Sequence, residues 1–104
     1  MRKLTQKFVE ILQENPVPTF VDSLILFGSE VYGNPTKNSD IDIAVVSKKN
    51  LTISQRCDMD EFIESCNPPY DCQLTYVDFS ATDSVFDVKR DIFSKGIEIY
   101  VKPG

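Results

Sequence analysis

Two carboxylates separated by a single residue are the clearest chemical feature of this sequence. Asp40 and Asp42 flank Ile41 at the start of the apolar run Ile43–Val46. Side chains alternate between the two faces of a β-strand, so a strand here puts both carboxylates on one face and the isoleucines on the other. Carboxylate oxygens are hard ligands, and magnesium usually takes one or two of them together with substrate phosphates. The pair therefore predicts a magnesium site.

A second feature, suited to binding phosphate, precedes the pair. The run Ser23–Phe27 predicts a strand, Gly28 and Ser29 follow it directly, and ten residues separate Ser29 from Asp40. A glycine lets the backbone approach a ligand closely. A serine near the start of a short helix offers a hydroxyl and an N–H to an anion. The sequence thus predicts a phosphate site beside the carboxylates.

Together these features resemble the signature of the DNA polymerase beta-like nucleotidyltransferase superfamily, in which a hydrophobic residue and Gly-Ser precede Asp-hydrophobic-Asp-hydrophobic. The matching residues are Phe27, Gly28, Ser29, Asp40, Ile41, Asp42 and Ile43. In so short a chain the resemblance is to the minimal nucleotidyltransferases, single-domain proteins often encoded beside a HEPN-domain protein. A half-buried strand with an acidic outer face would explain the alternation alone, but not the Gly-Ser at this distance.

The resemblance implies a third carboxylate on the strand that follows the next helix. Asp71 and Asp78 are both candidates. We favour Asp71, because residues 71–74 and 96–100 follow sequence patterns common in related chains. Alternation puts Asp78 on the same face as apolar residues, which would bury it unless a bulge intervenes.

The implied reaction is transfer of a nucleoside monophosphate, expected to be AMP from ATP, to a hydroxyl of a partner protein. Gly28 and Ser29 would hold the β- and γ-phosphates, and Asp40, Asp42 and Asp71 would bind two Mg²⁺ ions. The expected partner is a HEPN-type toxin encoded nearby, with this chain as its antitoxin. The sequence is compatible with either a homo-oligomer or a hetero-oligomer.

One departure from the family bears on phosphate binding. Many members carry Gly-Ser-x-Ala-Arg-Gly, whereas Tyr32 stands here at the arginine position, and Glu30 adds a negative charge that we expect near the phosphates. Lys37, Lys48 or Lys49 are candidates to compensate.

Two other functions compete with protein modification. The chain could be a binding module that neutralises its partner by forming a complex, with vestigial or purely structural aspartates. It could also be a transferase for a small molecule such as an aminoglycoside, although those enzymes resemble it only over the core and carry an extra domain.

Composition removes several further classes. The 104 residues are 41% hydrophobic and 26% charged, with a net charge of −5 and no basic cluster, which disfavours a polynucleotide substrate. The absence of histidine excludes His-ligated zinc and Ser-His or Cys-His pairs. The three cysteines lack metal-site spacing and predict buried, reduced thiols of a cytoplasmic protein. Neither a signal peptide nor a membrane span is predicted.

The predicted fold is α+β: one domain, 1–104, with a single mixed sheet and helices mainly on one face. Apolar periodicity and Gly/Pro breaks predict helices over 2–14, 29–32, 52–66 and 83–95, and strands over 23–27, 41–46, 70–79 and 97–101. In the helix over 52–66 the residues expected on the buried side are Ile53, Cys57, Met59, Phe62, Ile63 and Cys66.

Overall fold

A computed structural model of the chain describes residues 1–78, 92 and 94–103. Its elements are α1 (Lys3–Glu14), β1 (Ser23–Phe27), α2 (Ser29–Tyr32), β2 (Ile41–Ser47), α3 (Ile53–Ser65), β3 (Cys72–Asp78) and β4 (Ile97–Val101). All seven were predicted in type and nearly in extent. Most of the predicted helix over 83–95 lies outside the described residues, although Ile92, Ser94 and Lys95 are helical.

The strands form one mixed sheet, as the sequence predicts, and the structure gives their order as β3-β2-β1-β4. β1 is antiparallel to β2 and β4, whereas β2 and β3 are parallel, and α3 makes the crossover between them. Phe27 pairs with Asp42, and Ile41 pairs with Cys72. The end of β1 and the starts of β2 and β3 therefore meet at one end of the sheet.

Both faces of the sheet are covered. Helices α1 and α3 pack on one face, in a core that contains Phe8, Leu12, Leu24, Leu26, Ile41, Ile43, Met59 and Ile63. This arrangement confirms the prediction of helices mainly on one face and of inward-pointing isoleucines. A smaller cluster on the opposite face contains Ile25, Ala44, Val46, Val77 and Ile92. Asp42 points to this second face, so it lies at the edge of a core rather than on an open acidic surface.

Helix α3 begins with a capping box that the sequence analysis missed. The Thr52 hydroxyl accepts from the Gln55 N–H, and the Gln55 side chain accepts from the Thr52 N–H. These bonds satisfy two of the N–H groups that a helix start leaves without intrahelical partners.

Two residues predicted on the buried side of α3 are exposed. Met59, Ile63 and Cys66 are buried and follow one another at helical spacing. Ile53 and Cys57 lie outside that stripe, and Ile53 is 82% exposed. All three cysteines are free thiols, but only Cys66 is fully buried.

No helix in the described part of the chain combines the length and apolar character that a membrane span needs.

Met59→Ala is expected to destabilise the fold by about 2–5 kcal/mol, because it opens a cavity at a fully buried site under the sheet. For a domain of this size the melting temperature should fall by roughly 4–8 °C per kcal/mol. Ile53→Ala on the same helix is the matched control and should leave the melting temperature nearly unchanged. Equal losses in the two variants would contradict the packing described here.

Candidate active site

The turn after β1 is pressed against Asp42. Gly28 has φ +77°, and a Cβ at this position would overlap the Asp42 carboxylate. Both the backbone conformation and the space therefore require glycine. The predicted neighbours, the Gly-Ser turn and the second carboxylate, lie together at the end of the sheet.

The short helix α2 continues from this turn. The N–H groups of Val31 and Tyr32 donate to the Gly28 carbonyl at 3.0 and 3.1 Å. Ser29 is half-buried at the first helical position, whereas Tyr32, at the family's arginine position, is 54% exposed. The Ser29 backbone is thus held beside Gly28, on the side where Asp42 lies.

Asp40 and Asp42 interact unfavourably with each other. Burial raises the pKa of the half-buried Asp42, and the negative charge of Asp40 raises it further. Asp40 itself is exposed at the start of β2. A bound cation would relieve this repulsion, and the oxygen-only donor set suits Mg²⁺. The residues present therefore fit a magnesium ion.

Asp71 lies near Asp40, directly before the first residue of β3. The Ile41 N–H donates to the Asp71 carbonyl at 2.8 Å, immediately before the paired region of β2 and β3 begins. Asp40 and Asp71 line one open cavity of about 320 Å³ together with Lys37 and Tyr70. Within residues 1–78, 92 and 94–103, however, no three acidic or thiol side chains converge closely enough to hold one ion.

Asp78, the alternative third carboxylate, lies at the opposite end of the sheet. It pairs with Ser47, the last residue of β2. The rise of the strand from Asp42 to Ser47 is roughly 17 Å. Of the two candidates, Asp71 is the one at the Asp40 end.

Gln73 is a site neighbour that the sequence analysis missed. It pairs with Asp42 in the parallel register and is exposed. Because paired residues point to the same face of a sheet, the Gln73 amide lies opposite the Asp42 carboxylate. A carboxylate at position 73 would also have been close to Asp42. The pattern of residues 71–74 includes Gln73, but only the register shows that it lies opposite Asp42.

Of the lysines expected to compensate for Tyr32, only Lys37 is at the carboxylate end. Lys48 and Lys49 line a separate cavity of about 470 Å³ with Lys102, beyond the far end of β2. The expectation that either could reach the phosphates is wrong, because both follow the strand end opposite to Asp42.

Glu30, which the sequence analysis expected to add negative charge near the phosphates, forms an internal ion pair. Glu30 is 2% exposed, and its Oε1 accepts from the Arg2 Nε at 2.9 Å. The side chain points into the protein and is paired there, so its charge is largely compensated.

Comparison with known proteins identifies the family and the fold. Residues 6–103 match the family model described as polymerase beta, nucleotidyltransferase. The chain belongs to this nucleotidyltransferase family. Searched against curated protein sequences, it has no match.

Several solved structures share the fold. A toxin–antitoxin crystal structure with AMP-PNP is 27% identical at a TM-score of 0.60, over 93% of this chain and 73% of the other. A rebuilt structure of a tri-AMPylated Shewanella oneidensis HEPN toxin in complex with an MNT antitoxin is 24% identical, with a TM-score of 0.54, over 95% and 71%. The mixed sheet of the nucleotidyltransferase fold is confirmed by these relatives.

Asp42→Asn is expected to raise the melting temperature of the metal-free protein at pH 7. An Asp with a raised folded-state pKa costs stability once it is ionised, so stability falls as pH rises above its ordinary pKa. The asparagine variant avoids this cost, and its advantage should disappear below about pH 3.8, the ordinary pKa of Asp.

Thermal denaturation in EDTA measures the stability difference between the two metal-free proteins at each pH, and a second series in Mg²⁺ measures the effect of the metal. Mg²⁺ should stabilise the wild type and leave Asp42→Asn unchanged. A wild type that is already the more stable protein in EDTA at pH 7 would contradict the electrostatic account.

Proposed function

We propose that this chain is a Mg²⁺-dependent nucleotidyltransferase that moves AMP from ATP to a hydroxyl group of a HEPN-type partner protein. It would thereby act as the antitoxin of a toxin–antitoxin pair. The observation that carries the proposal is the meeting of two features at one end of the sheet. Gly28 packs against Asp42 there, and Asp40 shares a cavity with Asp71.

The relatives support the donor and the acceptor. One similar toxin–antitoxin structure was solved with AMP-PNP, an analogue of ATP, which favours ATP as the donor. In another, the HEPN toxin bound to an MNT antitoxin carries three AMP groups, which favours AMP transfer to a protein partner. We expect the pair in the cytoplasm, where free thiols such as those of this chain persist.

In the proposed reaction, the acceptor oxygen forms a bond to the α-phosphorus of ATP. The bond from that phosphorus to the bridging oxygen of the β-phosphate breaks, and pyrophosphate leaves. The proton of the acceptor hydroxyl is released, a step that the exposed carboxylate of Asp71 would assist. Bound Mg²⁺ would supply electrostatic stabilisation of the attacking and leaving oxygens.

Different residues of the chain would bind the metal ions and the phosphates. Asp40, Asp42 and Asp71 would hold the metal ions. The Gly28 backbone and the Ser29 hydroxyl and N–H would hold the β- and γ-phosphates. Lys37, which lines the cavity of Asp40 and Asp71, would contribute the positive charge that the family's arginine supplies elsewhere.

A binding module without transfer activity is the second candidate. Gln73, an amide, pairs with Asp42 where a carboxylate would complete a three-acid cluster. Helix α1 also leaves apolar side chains outside its buried stripe, with Leu4 50% and Ile11 41% exposed. A chain of this kind would neutralise its partner by covering it.

Asp40→Asn should lower transfer by several powers of ten and leave the fold intact, because it removes a metal ligand from an exposed position. The assay is incubation of the chain with α-labelled ATP, Mg²⁺ and the protein encoded by the neighbouring gene. Label should appear on the partner with the wild type and not with the variant. Asp58→Asn, the same change at an exposed residue of α3 with no assigned role, is the matched control.

Other outcomes distinguish the two candidates. Wild-type labelling by Asp40→Asn would reject the assigned site. No labelling by the wild type, with a tight complex and with neutralisation by the Asp40/Asp42 double variant, would reject the transferase in favour of the binding module. Absence of both labelling and complex would reject both functions.

Asp71→Asn and Gln73→Asp together test the third carboxylate. Asp71→Asn should lower transfer roughly as far as Asp40→Asn does, because both remove a metal ligand. Gln73→Asp should leave transfer within about tenfold of the wild type. If Asp71→Asn leaves transfer unchanged and Gln73→Asp increases it markedly, the third metal-binding carboxylate would instead be assigned to position 73, opposite Asp42.

A further inference from the structure

Arg2 connects three separate parts of the proposed site. Its Nε donates to the Glu30 carboxylate of α2 at 2.9 Å. Its Nη1 donates to the Thr36 carbonyl at 2.7 Å, and its Nη2 donates to the Ser39 carbonyl at 2.8 Å. The planar fork of a guanidinium suits such divergent acceptors, and an ammonium could not reach all three in this geometry.

Glu30 anchors this guanidinium from inside the protein. Burial alone would raise the pKa of Glu30, but the hydrogen bonds from Arg2 and the positive charge of Arg2 lower it below its usual value. Glu30 is therefore ionised at neutral pH and holds one side of Arg2. Its other oxygen and the Thr5 hydroxyl are buried without a well-formed hydrogen bond, so Arg2 is the principal partner of this charge.

The second anchor is an aromatic ring. The Arg2 guanidinium carbon lies 3.5 Å from the centre of the Tyr70 ring, a close cation–π contact. Tyr70 directly precedes Asp71, whose carbonyl accepts from the Ile41 N–H. The same guanidinium therefore contacts the segment that leads into β3 as well as the loop that leads into β2.

Both proposed metal ligands at the cavity are one residue away from an Arg2 contact. Ser39, whose carbonyl accepts from Arg2, precedes Asp40, and Tyr70 precedes Asp71. The contacts to Thr36 and Ser39 also fix a polar loop whose other hydrogen bonds are internal, such as that from the Thr36 N–H to the Ser39 hydroxyl.

We propose that Arg2, held by Glu30 and Tyr70, is a positioning residue that sets the separation of Asp40 and Asp71 for metal binding and transfer. This role rests on the proposed function. Its guanidinium does not contact the phosphates itself, because its donors are directed to Glu30, Thr36 and Ser39. The Arg2 side chain is only 12% exposed.

Arg2→Lys is the direct test, since it keeps the charge and loses the fork. Mn²⁺ affinity is measured first, by titration of the chain alone at a temperature at which circular dichroism shows both proteins folded. Affinity should fall about 10–100-fold, the range seen when residues that orient metal ligands are changed. Transfer to the partner should fall at least as far, chiefly in kcat, because misplaced groups slow the chemical step more than nucleotide binding.

Lys3→Met removes the neighbouring, exposed cation and should change neither quantity. Tyr70→Leu is the second variant, because it removes the ring and leaves the Arg2–Glu30 pair. It should weaken Mn²⁺ binding in the same direction, and it keeps the test available if Arg2→Lys does not fold. Wild-type Mn²⁺ affinity in a folded Arg2→Lys, or in Tyr70→Leu where Arg2→Lys is unfolded, would overturn the proposal.

The Mn²⁺ measurement separates this proposal from the proposed function. A wild type that binds Mn²⁺ through Asp40 and Asp42 but transfers no label would reject the transferase, and the affinities of the variants would still decide the role of Arg2. A wild type that transfers label, with variants that keep full metal affinity and full kcat, would retain the transferase and reject the positioning role.

Discussion

The close approach of Gly28 to the Asp42 carboxylate is the constraint on which the candidate site depends. β1 ends directly before Gly28. The positive φ of Gly28 and its missing Cβ allow the chain to turn against the Asp42 side chain of β2. Asp42 is in turn held at the margin of an apolar cluster, beside a second negative charge. The sheet thus holds a carboxylate in a place where its ionisation opposes folding, because burial and the charge of Asp40 both raise its pKa. Such local costs are common at functional sites, where stability is given up for chemistry.

The ion pair between Arg2 and Glu30 holds the loops next to this turn. Arg2 and Glu30 lie 28 residues apart in sequence, and they pair beneath the polar loop that leads to Asp40. Glu30 lies on α2, directly after the Gly-Ser turn, and Arg2 also donates to the Ser39 carbonyl, so Arg2 connects this turn to the loop before Asp40. Because Arg2 pairs with Glu30 inside the protein, Glu30 is not the surface charge that the sequence alone had suggested.

The lysine-lined cavity and the aspartates lie at opposite ends of β2. Lys48, Lys49 and Lys102 gather beyond the C-terminal end of β2, far from the aspartates. Lys102 donates to the Thr19 carbonyl, and the first N–H groups of α3 are satisfied by the capping box. Lys102 and the first turn of α3 therefore have partners within the protein, and the carboxylate end is where we propose that the metal and the phosphates bind.

The sequence was sufficient for features that depend on local patterns. The alternation around Asp40 and Asp42, the Gly-Ser turn and the breaks at glycine and proline identified the strands and the end of the sheet where they meet. It was insufficient wherever register or tertiary contact decides. Glu30 looked like a surface charge because its partner, Arg2, is remote in sequence, and Ile53 looked buried because apolar character alone does not give the helix face. Gln73 needed the β2–β3 register, and most of the predicted helix over 83–95 lies outside the described residues.

A crystal structure of the chain with Mn²⁺ and AMP-PNP would test the central claim most directly, because the anomalous signal of manganese locates the metal independently of any activity. The account predicts manganese bound by Asp40 and Asp42, with Asp71 beside it and the β- and γ-phosphates against Gly28 and Ser29. Manganese or phosphates bound elsewhere, such as nucleotide in the cavity of Lys48 and Lys49, would contradict it.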